Sequence, residues 1–351
     1  MTGYLKHVLI LLVTVALLAL FLRQADLTAV GRELTRAHPG GVVLAMLASV
    51  ATFVFRTIRW QYLLQPTGHV PFAPALRATI IGFGANAMLP GRVGEVIRPY
   101  LLARKVDLDP TATFATIVLE RALDMITLLV LFALSVALLD PAFAVNDGKM
   151  LHAVQFGGLM AALAALGGLG VAFVFAGHAE RVGLITERLT RRLPARASQL
   201  AVKGVSAFGR GFSVLRSPQA LALALVHSLG VWLSIALTTW AMAGAFELDF
   251  PFPGTFTVLM FMAVGVSVPT PGGVGAFHES VRLALTSLYA ADNDRAVAYA
   301  VALHALSFIP VSLLTLYFVA REGLTLRRIE DITRTGLPPG AAPLAEGSQA
   351  G

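Results

Sequence analysis

The sequence predicts an all-α integral membrane protein: six spanning helices plus two re-entrant helical hairpins, arranged as an inverted-topology repeat. Three observations carry that expectation. Of the 351 residues 56% are apolar and only 13% charged, about half the charge of an ordinary globular chain, and the mean hydropathy is +0.75. Long apolar runs alternate with short basic segments. Two further apolar runs are too short to cross, and both break at one pattern: Pro90-Gly91-Arg92-Val93-Gly94 and Pro271-Gly272-Gly273-Val274-Gly275.

A membrane-spanning helix needs about 20 apolar residues. Val8–Leu22, Gly41–Leu64, Ala115–Leu139, Leu151–Gly177, Gln219–Phe246 and Val297–Ala320 supply the six spans. Lys6 ahead of the first run also suits a signal peptide, but more membrane follows, so an uncleaved first span is expected. Cytoplasmic loops collect Lys and Arg. Arg104 and Lys105 mark one such loop. The stretch His178–Arg216 is another, with Arg181, Arg188, Arg191, Arg192, Arg196, Lys203, Arg210 and Arg216, and Arg321, Arg327, Arg328 and Arg334 follow the last span. Asp140–Met150 and Glu247–Gly254 are acidic or nearly neutral and belong outside. Arg23, Arg32 and Arg36 fall on that outer side. Leu27, Val30 and Leu34 form an apolar stripe among them, which predicts an interfacial helix. Both termini are then cytoplasmic, and the expected location is a bacterial or archaeal cytoplasmic membrane.

The same signs place both ends of Leu76–Ala103 in the cytoplasm and both ends of the segment around Thr255–Val268 outside. Each is therefore expected to enter and return on one face, the two from opposite faces. Two proline-kinked full spans are the alternative, but one would bury Arg92, Glu95 and Arg98 in a single crossing, at about 2.5–3.5 kcal/mol per charge. Each half reads as span, span, hairpin, span. Three crossings per half is odd, so the halves must point oppositely, as in many transporters. Repeat 1 covers about 1–140 and repeat 2 about 151–322 of one transmembrane domain, 1–335. Residues 178–218 form a cytoplasmic amphipathic loop, and 336–351, rich in Pro, Gly and Ala, form a disordered tail.

At the hairpin tips proline removes a donor and glycine permits positive φ, so the chain can reverse sharply. A half-helix starting after Gly91 or Gly273 points free N–H groups and a positive dipole end inward, which suits an anion. Such backbone is tolerated at membrane depth only beside protein or a wet cavity, so the tips are expected to meet around a polar chamber. Ionisable residues cluster nearby: Arg56 and Arg59 on one helical face, Arg92, Glu95 and Arg98 on the first hairpin, Glu120, Arg121 and Asp124 on the next span, and His278, Glu279 and Arg282 on the second hairpin. Six arginines against four carboxylates leave this set net positive by two. Arg56 and Arg59 would equally suit snorkelling beside Trp60, and Glu120 with Arg121 a structural ion pair. His227 and His304 read as hydrogen-bonded helix contacts, and Trp232 and Trp240 as packing residues.

Catalytic patterns are weak. The chain has no cysteine, which excludes disulfides and thiolate chemistry. His278-Glu279-Ser280-Val281-Arg282 opens like a zincin helix but has Arg where the second His belongs. Neither a P-loop nor a nucleophile elbow is present. The expectation is a protein that is not an enzyme, with no cofactor and no metal. Its expected partners are membrane lipids with an anionic head group. A lipid-synthesis enzyme and a second copy of the chain are compatible partners, and nucleic acid is not expected.

Taken together, Arg56-x-x-Arg59-Trp60, Asn86-x-x-Leu89-Pro90-Gly91-Arg92-x-Gly94-Glu95, Glu120-Arg121-x-x-Asp124 and Pro269-x-Pro271-Gly272-Gly273-x-Gly275-x-x-x-Glu279 resemble the lysylphosphatidylglycerol synthase transmembrane region, also called the flippase-like family. The resemblance runs from the first span to about Arg328. It implies a multi-spanning lipid translocator, in some members fused to a soluble domain that lysylates phosphatidylglycerol. Little sequence follows Ala320, so a stand-alone member without that domain is expected, and lipid lysylation does not carry over. The implied head-group residues are Arg56, Arg59, Asn86, Gly91, Arg92, Gly94, Glu95, Arg98, Glu120, Arg121, Asp124, Gly272, Gly273, Gly275, His278, Glu279 and Arg282, with Pro90, Pro269 and Pro271 at the hairpin tips. The expected cargo is an anionic phospholipid or a polyprenyl-phosphate-linked lipid, its phosphate held by Arg92, Arg98 and the half-helix N-termini. Glu95, Glu120, Asp124 and Glu279 would balance the arginines and serve proton coupling. An accessory subunit presenting lipid to a synthase and a membrane-embedded lipid transferase or hydrolase are the alternatives.

Overall fold

The structure, a computed structural model, describes residues 12, 14–19, 21–23, 25–89, 91–138, 195–268 and 270–321, with scattered positions between 152 and 190. Pro90, Pro269 and the tail 336–351 lie outside the described residues, as does most of Leu151–Gly177. The described residues are helical, with no strand among them. In chain order the helices are α1 (Leu27–Arg36), α2 (Pro39–Leu64), α3 (Phe72–Met88), α4 (Gly94–Lys105), α5 (Pro110–Leu138), α6 (Ala195–Gly211), α7 (Pro218–Ala245), α8 (Gly254–Ser267), α9 (Ala276–Leu288) and α10 (Asn293–Arg321). Among the described residues, α2, α7 and α10 are long and apolar enough to cross a membrane. Helix α5 is as long, at 29 residues, but carries Glu120, Arg121 and Asp124.

Local chemistry sets the boundaries. The Asp26 carboxylate accepts the Thr28 amide at 2.8 Å and so caps α1. That amide, with Ala29's, holds the carboxyl below its usual range. Asp109 caps α5 through Thr111 N at 2.8 Å. Prolines stand at the first turn of α2 and α7, where a missing N–H costs nothing. Helix α3 starts at Phe72, four residues ahead of Leu76, with Pro71 just before it and Arg77 accommodated within the helix. Only part of the α1 stripe meets protein: Val30 is buried, while Leu27 and Leu34 are exposed.

The second half repeats the order of the first. Helices α2–α5 have 26, 17, 12 and 29 residues, and α7–α10 have 28, 14, 13 and 29. Helices α2 and α7 pack along their whole length and run antiparallel. Gly41 lies so close to Ala241 that an added Cβ would stand 2.8 Å from its carbonyl oxygen, Phe55 covers Gly230, and the Tyr62 ring meets His227. The start of α2 is therefore beside the end of α7.

These contacts define two ends of the molecule. At the first end the Ala245 carbonyl accepts the His38 amide, Arg295 pairs with Glu33 at 3.2 Å, and Tyr289 donates to the Gly254 carbonyl at 3.1 Å. At the second, Gln61 donates to the Val70 carbonyl, Gly68 abuts Leu108, and Arg210 pairs with Asp109. So α3 and α4 form a helical hairpin whose two ends both lie at the second end, and α8 and α9 form one rooted at the first. Their tips touch: an added Cβ on Gly272 would lie 2.9 Å from the Ala87 carbonyl oxygen. A helical segment ahead of α1, described at residues 14–19 and 21–22, covers the second hairpin, with Leu17 against Gly275.

Inside the first hairpin, Asn86 Oδ1 accepts the Gly94 amide at 2.8 Å. A Cβ on Gly94 would stand 1.8 Å from the Gly82 carbonyl oxygen, so α3 and α4 touch backbone to backbone. Gly94→Ala is expected to destabilise the protein by about 1–3 kcal/mol through overpacking, lowering its thermal midpoint in detergent. An unchanged midpoint would contradict this packing.

Candidate functional site

Four arginines and two carboxylates converge where α2, α3, α4, α5 and α7 meet. Helix α5 supplies Glu120 and Asp124, four residues apart and so on one face. Glu120 is fully buried and Asp124 nearly so. Glu120 Oε1 accepts from Arg98 Nη1 at 2.8 Å, lies 3.3 Å from Arg59 Nη2, and also meets Arg121. Asp124 takes Arg59 Nη1, Arg121 Nη2 at 3.3 Å and the Trp232 indole N–H at 3.3 Å. Arg59 also donates to Ser228 Oγ at 3.0 Å. Arg59 and Arg98 are 0% and 2% exposed. Neither snorkels to an interface.

Aromatic rings complete the cluster. The Arg98 guanidinium lies 3.9 Å from the Trp60 ring centroid, and Trp60 is oriented by Thr116 through its indole N–H. Phe83 on α3 faces three guanidinium groups, those of Arg56 at 4.3 Å, Arg98 at 5.8 Å and Arg121 at 5.9 Å. Arg56 has this ring as its recorded partner and no carboxylate within ion-pair distance among the described residues. The cluster thus holds four positive and two negative charges. Six guanidinium nitrogens, Arg56 Nη1, Arg59 Nε and Nη2, Arg98 Nε and Nη2, and Arg121 Nε, are buried and make no hydrogen bond within the described protein, Arg59 Nη2 meeting Glu120 only as an ion pair at 3.3 Å. Buried charges are normally paired and hydrogen-bonded. A surplus of buried cationic donors matches an anion with several oxygens, such as a phosphate.

The other expected residues fall elsewhere. Arg92 is half exposed at the tip of the first hairpin and faces Glu95 at 3.6 Å, so it stands apart from the buried arginines with which it was grouped. Asn86 and Gly94 satisfy each other, and the next amides, of Glu95 and Val96, donate to Arg92 and Val93. The expected anion site at this half-helix start is therefore already occupied by the chain's own acceptors. Gly91, Gly272, Gly273 and Gly275 all have positive φ, as the chain reversals require, and Pro271 opens a short 3-10 turn. Arg282 holds both oxygens of Glu279 and reaches Asn293. His278 packs against His304. Neither group has a recorded contact with the arginine cluster.

Sequence reading missed Phe83, Ser228 and Thr116. It gave Trp232 only a packing role, whereas its indole N–H reaches Asp124. No local signal marks them: a Phe, a Ser or a Trp in an apolar run becomes part of the site only through the neighbour it meets. A cleft of about 480 Å³ opens at the second end between α2 and α7, lined by Tyr62, Gln65, Pro66, Ser217, Gln219, Ala220 and Leu223. The tips themselves meet by close backbone contact.

Helices of this length and apolarity around a net-positive buried ionic cluster define an integral membrane protein of the all-α class. Residues 7–315 match the lysylphosphatidylglycerol synthase TM region, and the chain belongs to that family. It is also similar to the glycosyltransferase AglD of Haloferax volcanii, 30% identical over 119 residues, 34% of this chain and 19% of the relative. The UPF0104 membrane protein MJ1595 of Methanocaldococcus jannaschii is 24% identical over 122 residues, 34% of this chain and 36% of the relative. The matched stretches span about a fifth and about a third of those two proteins. The family and these relatives support a membrane, lipid-related function.

Glu120 counters three guanidinium groups at once, so removing its charge is expected to cost far more than a surface ion pair. Glu120→Gln should destabilise the protein by about 3–5 kcal/mol, seen as a large fall in thermal midpoint. Arg121→Gln, at a third exposed, should cost clearly less.

Proposed function

We propose that the protein binds the phosphate of an anionic lipid on the arginine cluster and moves that lipid between leaflets. The observation that carries this reading is the surplus of two buried positive charges, with guanidinium nitrogens left without a protein acceptor. A phospholipid or polyprenyl-phosphate head group would meet Arg56, Arg59, Arg98 and Arg121, while its tail stays in hydrocarbon. Arg92 and Glu279, set apart from the cluster, take no phosphate in this scheme. The cleft at the second end suits an approach route, because Tyr62 on its wall is three residues, about 4.5 Å of rise, from Arg59.

The membrane disposition belongs to the same proposal. Spans at 8–22, α2, α5, 151–177, α7 and α10 cross, while the two hairpins enter from opposite faces as halves of an inverted repeat. Hairpin roots at opposite ends, touching tips, matched helix lengths and the antiparallel α2–α7 pair support it. So does the chemistry: backbone reversals at membrane depth are tolerated when buried in protein. The second end carries Arg104, Lys105 and Arg210 and would face the cytoplasm. The name of the haloarchaeal relative raises a transferase reading, but Glu120 and Asp124 are each held by arginines, a poor setting for a general base.

Two measurements test these points. In liposomes, the purified protein should move a labelled anionic phospholipid across the bilayer, and Arg56→Gln should slow this by roughly tenfold or more. A rate equal to that of protein-free liposomes would reject translocation. In the naturally cysteine-free chain, single cysteines at His69 and Asp107, flanking the first hairpin, should react with an impermeant thiol reagent from the same side. Reaction from contrary sides would reject the hairpin topology.

A further inference from the structure

Helices α9 and α10 bring His278 and His304 together, their ring centroids 4.5 Å apart and their planes inclined by 36°. Aromatic rings surround the pair. Phe308 stacks on His304 at 4.2 Å, Phe277 meets both rings at 5.7 and 5.2 Å, and Phe21 from the segment ahead of α1 lies 5.1 Å from His278. Both histidines hold the tip of the second hairpin. His278 Nδ1 is 3.3 Å from the Gly275 amide nitrogen, and His304 Nε2 is 2.9 Å from the Gly272 carbonyl oxygen. Gly272 is the residue that rests on Ala87 of the first hairpin.

These bonds set the tautomers. A ring nitrogen that accepts from an amide carries no proton, so His278 is protonated on Nε2. A ring nitrogen facing a carbonyl must donate, so His304 is protonated on Nε2 and its Nδ1 keeps a lone pair. That Nδ1 has no hydrogen-bond partner among the described residues. Charged neighbours are few. On α9, Glu279 and Arg282 bind each other. Helix α8 has no ionisable side chain, and neither do the described residues 14–19 and 21–22 ahead of α1. Besides His304, the ionisable groups of α10, Asp294, Arg295, Tyr299, Tyr317 and Arg321, lie toward its two ends or, as Tyr299, bond the Thr239 carbonyl. On α3, which meets the tip, Arg77 lies three turns from Ala87.

We propose that the His278–His304 pair is a proton-binding site that controls the tip of the second hairpin. One proton passes from hydronium of the aqueous phase to Nδ1 of His304: an N–H bond forms, the hydronium O–H bond breaks and water is released. The imidazolium then grips the Gly272 carbonyl through a charge-assisted bond, with the Phe308 face beneath it. A second proton is opposed twice. It would set two cations 4.5 Å apart, and it would turn His278 Nδ1 from an acceptor into a donor facing the Gly275 N–H. The pair therefore takes one proton, and acid tightens the tip against the first hairpin. The carboxylates expected from sequence to couple protons, Glu95, Glu120, Asp124 and Glu279, each face an arginine instead.

A single cysteine at Val274, beside the tip, reports its exposure. Its rate of labelling by a thiol reagent is read at about pH 5 and about pH 8, divided by the rate of a Gln65→Cys variant, exposed at the other end, to remove the thiol's own pH dependence. The normalised rate should be roughly fivefold lower in acid, the factor expected when a neutral hydrogen bond becomes charge-assisted. His304→Gln, whose amide can still donate to Gly272 but cannot titrate, should label equally at both pH values. No slowing in the parent, or slowing that survives in His304→Gln, overturns the proposal. If that variant fails to fold, nitrogen-15 spectra of the histidine rings in the otherwise unaltered protein decide: one of the two rings must titrate in this range, protonating at Nδ1. Neither ring titrating, or both together, overturns the proposal equally. Lipid movement is not needed for either readout, so failure here is distinct from failure of translocation.

Discussion

Glu120 is the constraint around which the first half of the protein is organised. One buried carboxylate draws Arg59 from α2, Arg98 from α4 and its own neighbour Arg121 to a single oxygen. Taking such a group out of water costs several kcal/mol unless its partners are well placed. Here they come from three helices, so the ionic contact and the hairpin's docking on α5 are one event. Asp124, one turn further along, repeats the arrangement with Arg59, Arg121 and Trp232. Two carboxylates cannot neutralise four guanidinium groups, and that surplus is what supports the proposed anion site.

The same economy appears in how the hairpins are built. Close backbone approach replaces side-chain interdigitation: Gly82 against Gly94, Gly84 against Val311, Gly265 against Ala276, Gly272 against Ala87. Without a strong hydrophobic drive between helices in lipid, association relies on such small-residue contact and on interhelical hydrogen bonds. Thr315 donating to the Ile80 carbonyl and Ser135 meeting Thr257 are bonds of that kind. They join each hairpin to the last helix of the opposite half. A tip held this way has few interactions to break, which makes the two histidine contacts at Gly272 and Gly275 large in proportion.

The arginine cluster and the histidine pair occupy different halves and use different chemistry. The cluster is rich in permanent charge and sets its carboxylates against guanidinium partners, which suits binding. Among the described residues the histidines have no counter-charge and keep an open ring nitrogen, which suits switching. Contact between Gly272 and Ala87 links the halves through α3, the helix that also carries Phe83 into the arginine cluster.

Composition and hydropathy by themselves determined the membrane class and the all-helical fold. Gly/Pro breaks located the two helix interruptions, and the spacing of Glu120, Arg121 and Asp124 put the acidic pair on one face of one helix. Those features are legible because bilayer thickness, backbone satisfaction and the helical period act within a single segment. Tertiary structure alone decided which arginines share the site. Arg92 and Arg98 sit six residues apart on one hairpin, yet Arg98 is sealed under Trp60 and Arg92 lies half in the open. It also decided that Asn86 satisfies the amide expected to bind an anion, that Phe83 gathers three guanidinium groups, and that the hydrogen-bonded contact of His304 falls on the second hairpin's tip. Burial, counter-charge and hydrogen-bond geometry are properties of residues brought together from distant stretches of chain, and no local pattern records them.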